Sequence, residues 1–139
     1  MNPKKILILL EKDNNNLLLN QAVSIIKNNN ANAYFLFVIE IPHKYPIEFE
    51  IGDQISIGEN TLKYAHEYLI KNKLNYDINS NNFILLQSRN TGIALIKESQ
   101  RINVDLIAYK KNKNSEDYKY EFIKKNSKTN VLELLEIEN

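Results

Sequence analysis

Lys4-Lys5-Ile6-Leu7-Ile8-Leu9-Leu10, followed by Glu11-Lys12-Asp13-Asn14-Asn15-Asn16, is the stretch on which the fold turns. Its apolar run is unbroken, too short for a stable isolated helix, and bounded by lysines and turn formers. That pattern predicts a strand buried on both faces, as in the middle of a parallel sheet. In an α/β protein the turn after such a strand is where chemistry is usually placed.

The elements on either side fit that reading. Asn14 to Asn16 offer a helix cap. Leu18, Leu19, Ala22, Val23, Ile25 and Ile26 then recur at helical spacing, which predicts a helix over 16–27, ended by Asn28 to Asn30. Ala33 to Ile39 is aromatic and β-branched and reads as a second buried strand. Strand, helix and strand make a βαβ unit with a right-handed crossover.

Pro42 and Pro46 interrupt periodicity between 40 and 57, where a long loop over the carboxyl edge of the sheet is expected. A second helix is expected over 58–73, with Leu62, Ala65, Leu69 and Ile70 on its buried face. A third strand follows at 83–86. The third helix, 91–101, should bury Ile93, Leu95 and Ile96, and the fourth strand is placed at 104–109. Tyr118, Phe122 and Ile123 form the stripe of one short helix. Val131 to Ile137 reads as a fifth strand, with a helical tail as the alternative. Alternating strands and helices predict a single-domain α/β sandwich over residues 1–139, three layers around a five-stranded, mostly parallel sheet.

Composition narrows the function classes. Hydrophobic residues are 43% and charged residues 25%, as in a soluble globular protein. Net charge is +1, from 18 Lys+Arg against 17 Asp+Glu, which argues against nucleic-acid binding as the main activity. The lysines at 110, 111 and 113, and at 124, 125 and 128, are read as a solvated surface. There is no cysteine, so disulfides, thiolate metal sites and cysteine nucleophiles are excluded. The opening apolar run is too short for a secretory signal, and none nears the roughly 18 residues a membrane span needs. A cytoplasmic location with no membrane partner is expected.

The ordered elements, and particular residues in them, resemble the universal stress protein family over nearly the whole chain. Lys4 to Glu11 is similar to the family's opening Lys-Ile-Leu-Val-Pro-Val-Asp. Phe37-Val38-Ile39-Glu40-Ile41-Pro42 resembles its His-Val-Val segment. Glu40-Ile41-Pro42 with Pro46, and Gln87 to Ile96, resemble a branch in which such a domain stands alone or is appended to amino-acid permeases. Asn103-Val104-Asp105-Leu106-Ile107 resembles the family's Ala-Asp-Leu-Ile-Val. The resemblance implies a doubly wound sheet ordered 3-2-1-4-5 and a homodimer paired through the fifth strands. Val131, Leu132, Leu134, Leu135 and Ile137 would form that interface. An uncovered apolar edge strand is a liability, so the physics agrees.

One group of the family binds ATP. It uses an Asp after the first strand and a Gly-x-x-Gly then Gly-Ser/Thr pattern after the fourth. Phosphates need bare backbone N–H groups and close approach, which Gly permits. Here Ala108 to Ser115 contains no Gly, and the three glycines, Gly52, Gly58 and Gly92, lie elsewhere. Asp117-Tyr118 falls near the Gly-Ser position, and Glu11-Lys12 stands where the family has Asp-Gly. The leading expectation is therefore a universal-stress-like regulatory or interaction module with no cofactor, lacking the usual ATP-binding loop. The alternative is a divergent member that binds ATP or AMP through lysines. Its cleft residues would be Glu11, Lys12, Val38, Arg89, Lys110 and Lys111.

No catalytic or metal constellation is visible. His43 and His66 are the only imidazoles, and His66 is followed at i+4 by Ile70 rather than a second His. Both are read as structural or solvated. Asn90 or Thr91 is read as the cap of the third helix. Tyr109, Tyr118 and Tyr120 are read as core or interface packing.

Overall fold

The computed structural model describes residues 2–112 and 118–136. Its strands are β1 (Lys5–Leu9), β2 (Asn32–Glu40), β3 (Phe83–Ser88), β4 (Leu106–Asn112) and β5 (Asn130–Glu136). Its helices are α1 (Asn16–Asn29), α2 (Gly52–Lys71), α3 (Thr91–Ile102) and α4 (Lys119–Asn126). The sheet runs β3-β2-β1-β4-β5, and every pairing is parallel.

β1 lies at the centre and Ile6 to Leu10 are at most 2% exposed, as a two-faced strand requires. Its side chains alternate between two cores. Ile6, Ile8 and Leu10 join Leu18, Leu19 and Ala22 of α1 and Leu62, Ala65 and Leu69 of α2. Leu7 and Leu9 join Leu95 of α3 and Ile123 of α4 on the opposite face. The sheet is thus the middle of three layers.

Asparagine does conformational work that other chains give to glycine. Asn14, Asn30 and Asn103 all take positive φ, at 62°, 51° and 62°, and no glycine does. Asn30 and Asn103 end α1 and α3 in left-handed caps, donating backbone N–H groups to Ile26 and Ser99. Gly58 has a different role. A Cβ there would sit 2.5 Å from Leu85 Cδ1 and 3.0 Å from Phe37 Cδ1, so its bare backbone lets α2 close onto β2 and β3.

Several expectations are corrected. α2 begins at Gly52, not 58, because Ile55 packs into the core and Asp53 favours the positive N-terminal end of the helix. The preceding loop is correspondingly short. Its turns close as Tyr45 N–H meets Pro42 O and Phe49 N–H meets Pro46 O, and the Tyr45 and Phe49 rings stack at 4.4 Å. Ile70 and Ile93 are exposed, since each lies off the arc its helix buries; α3 instead buries Ala94, Leu95 and Ile102. α4 buries Tyr120 and Ile123 and leaves Tyr118 78% exposed. The third and fourth strands each run further than expected, to Ser88 and Asn112.

Candidate functional site

The sheet order reverses between β1 and β4, whose chains leave for helices on opposite faces. In open α/β sheets the crevice at that point, outside the carboxyl ends, is where ligands bind. Its floor is built from the β1–α1 turn, the end of β4 and the start of α4.

The turn closes on itself. The Asn15 side chain accepts from Glu11 N–H at 3.0 Å and donates to Glu11 O at 2.7 Å. The buried Lys110 ammonium reaches across from β4 and donates to Asn14 O at 2.5 Å. The Glu11 carboxylate accepts from the Tyr120 hydroxyl at 3.0 Å and pairs with Lys119 at 3.3 Å. Tyr120 stacks on Tyr109, with centroids 4.9 Å apart. Tyr109 is fully buried and donates to Glu133 Oε1 at 3.0 Å, while Lys124 meets the other oxygen at 3.2 Å. Burial first, then the bond to Glu133, pushes the Tyr109 hydroxyl well above its ordinary pKa. Glu11, Lys110, Tyr109 and Tyr120 thus each have a partner within the protein.

The structure separates the six cleft candidates. Glu11 and Lys110 belong to the closed network. Lys12 is exposed and lines a cleft of about 430 Å³ between the β1–α1 turn and α2, with Asp13, Asn60 and Tyr64 among the other walls. Val38 packs into the α3–α4 core rather than onto the crevice. Arg89 lies after β3, two strands from β1, and donates to Ile41 O at 3.1 Å and Pro42 O at 2.6 Å, tying down the β2–α2 loop. Lys111 is half-buried on β4, in register with Leu135.

Among the expected edge residues, Val131, Leu132 and Leu134 pack against the chain's own cores and Leu135 is 55% exposed. Ile137, and residues 113–117 of the glycine-free stretch, lie outside the described residues. Asn90 caps α3, accepting from Ile93 N–H at 3.0 Å, and Thr91 instead donates to Glu40 through both its N–H and its hydroxyl. His66 Nε2 lies 2.7 Å from Tyr76 O, and its ring sits edge-on to Phe83. No metal-ligand cluster occurs among the described residues.

The Glu11–Tyr120 bond spans 109 positions of sequence and was not foreseen. The only signal for it is the burial of Tyr109 and Tyr120 as packing groups, which says nothing of their hydroxyl partners.

No family model matches the chain, and no curated protein matches it in sequence. Solved structures match it in fold. A universal stress protein from Archaeoglobus fulgidus aligns with TM-score 0.71 at 11% identity, covering 94% of this chain and 92% of that one. A member of the universal stress protein family from Burkholderia pseudomallei gives TM-score 0.69 at 13% identity, covering 94% and 95%. An Arabidopsis thaliana family protein with AMP bound gives 0.66 at 10%, covering 96% and 92%. The chain therefore has the universal stress protein fold, with its strand order 3-2-1-4-5. Among the described residues no helix is long and apolar enough to cross a membrane.

Proposed function

We propose that the chain, as one domain over residues 1–139, is a dimeric regulatory or interaction module of the stress response. In this reading it works in the cytoplasm, binds neither nucleic acid nor ATP in the manner of the glycine-loop members, and pairs through β5. The observation that carries the reading is the bridge from Glu11 to Tyr120 and Lys119 across the switch point. That carboxylate is already occupied by partners within the protein, which leaves it less available to the hydroxyls of a ligand. The lack of glycine in Ala108 to Ser115 supports the same conclusion, since no bare cradle is offered.

The second reading is a divergent adenine-nucleotide binder using lysine contacts. The open cleft beside Lys12, and the AMP bound by the Arabidopsis protein of like fold, favour it. Thermal unfolding with millimolar ATP, AMP or cyclic AMP separates the two. A ligand at about 100 times its Kd stabilises the native state by about 2.7 kcal/mol, a readily measured shift. No shift is expected. A clear rise with any of the three would overturn the leading reading. Light scattering over a concentration series should return a dimer, and a monomer throughout would remove the β5 pairing.

A further inference from the structure

The other edge of the sheet is open. β3 has β2 on one side and no described strand on the other. Phe35 N–H donates to Asn82 O at 2.7 Å and Ile41 N–H to Ser88 O at 2.9 Å, which sets the phase of the ladder. In a parallel pair, alternate residues direct both backbone groups to the same neighbour. Ile84, Leu86 and Ser88 therefore face β2, and Leu85 and Gln87 turn N–H and C=O outward. All six residues of β3 are only half-buried.

Beside this edge lies a groove of about 490 Å³. Leu85, Leu86, Ile47 and Ile55 give it an apolar lining, and Glu48 and Glu50 stand at its rim. The Gln87 amide donates to Ile47 O at 2.8 Å and Phe49 O at 2.9 Å, so the loop that forms the far wall is fastened to the strand. Glu48 and Glu50 are exposed, and neither is in an ion pair among the described residues. The groove thus combines backbone donors and acceptors in strand geometry, apolar side-chain space and uncompensated negative charge.

We propose that this edge binds an extended segment of another protein in which apolar residues alternate with Lys or Arg. The segment adds to β3 as a sixth strand, bonded to the outward groups of Leu85 and Gln87. One of its apolar side chains enters the groove, and its cations meet Glu48 and Glu50. The charge of the rim selects this occupant over an acidic one. The proposal deepens the interaction-module reading, on which it rests, by naming the partner's chemistry. Its test uses no nucleotide, so the failure of one is distinguishable from the failure of the other.

The probe is a short synthetic peptide of alternating Lys and Val, titrated into the ¹⁵N-labelled full chain. A Glu–Val peptide and a Lys–Val peptide N-methylated on alternate amides serve as comparisons. The Lys–Val peptide should shift the amides of Leu85, Gln87, Glu48 and Glu50 and bind roughly tenfold or more tighter than the Glu–Val peptide. N-methylation should abolish the shifts, because it removes strand hydrogen bonds while keeping charge. The Glu48→Lys, Glu50→Lys double variant should invert the peptide preference without changing the Tm. Absence of binding, equal binding of both charges, or shifts centred on β5 would each overturn the proposal. So would concentration-dependent shifts at β3 without peptide, which would make a second copy the occupant.

Discussion

Two places along the carboxyl edge of one sheet meet the same problem with opposite outcomes. At the switch point between β1 and β4, strand ends, turn and helix all present polar groups, and these satisfy one another: Lys110 holds Asn14, Glu11 holds Tyr120 and Lys119, Glu133 holds Tyr109 and Lys124. At β3, two strands away, backbone groups point outward beside an apolar groove and two carboxylates stand without cations among the described residues. Among the described residues, these groups at the position where α/β folds usually bind ligands are bonded within the protein, and the position usually protected carries outward backbone groups. Location in a fold sets where a site can be; the side chains present decide whether one is there.

The strongest test of that contrast is Tyr120→Ala. Tyr120 is 5% exposed, stacks on Tyr109 and bonds Glu11, so its truncation should cost about 3–5 kcal/mol in urea unfolding. Neutralising the groove rim with Glu48→Gln and Glu50→Gln should change stability by less than about 0.5 kcal/mol. Similar losses at the two places would break the comparison.

A smaller effect is expected where α2 closes onto β2 and β3. Gly58→Val drives side-chain atoms into Phe37 and Leu85, and should cost about 1–3 kcal/mol. Amide shifts should concentrate in β2 and β3 and leave Glu11 and Lys110 unmoved. Shifts reaching the switch point would show that the two regions are coupled through the sheet.

The smallest effect sharpens the crevice side. Tyr109→Phe removes one hydrogen bond to Glu133, worth about 1 kcal/mol at neutral pH. Its pH dependence has a definite sign. The Tyr109 hydroxyl keeps its proton in the folded state at pH values where the unfolded chain, with its ordinary pKa of 10.0, has lost it. The contribution is therefore fully present below pH 10 and is lost as pH rises through the raised folded value. Wild-type stability should decline more steeply above pH 10 than that of the phenylalanine variant. Parallel curves would mean that burial and the bond to Glu133 do not hold the Tyr109 hydroxyl in its protonated form.

Much of the fold is legible locally. The run Ile6 to Leu10 predicts a strand buried on both faces, and α1 follows from the spacing of Leu18, Leu19, Ala22, Val23 and Ile26. The start of α2 was not legible, because Pro42 and Pro46 mask the short loop and Gly52 to Ile57 lacks a strong helical stripe. The burial of α3 was misread for a similar reason. Ile93 is apolar, but the side of the helix that meets β2 and α4 is chosen by neighbours outside the helix.

The sequence by itself determined the alternation of strands and helices, the central strand and the lack of glycine from Ala108 to Ser115, because each depends on residues close together in the chain. Only the tertiary structure decided what became of the turn after β1. Glu11 meets Tyr120, Lys110 meets Asn14 and Gln87 meets Ile47 across separations of 109, 96 and 40 residues. A carboxylate or an ammonium reads the same in sequence whether it faces water, a ligand or a tyrosine hydroxyl. Its partner is set by the order in which parallel strands stack, and that order is fixed by packing both faces of the sheet at once.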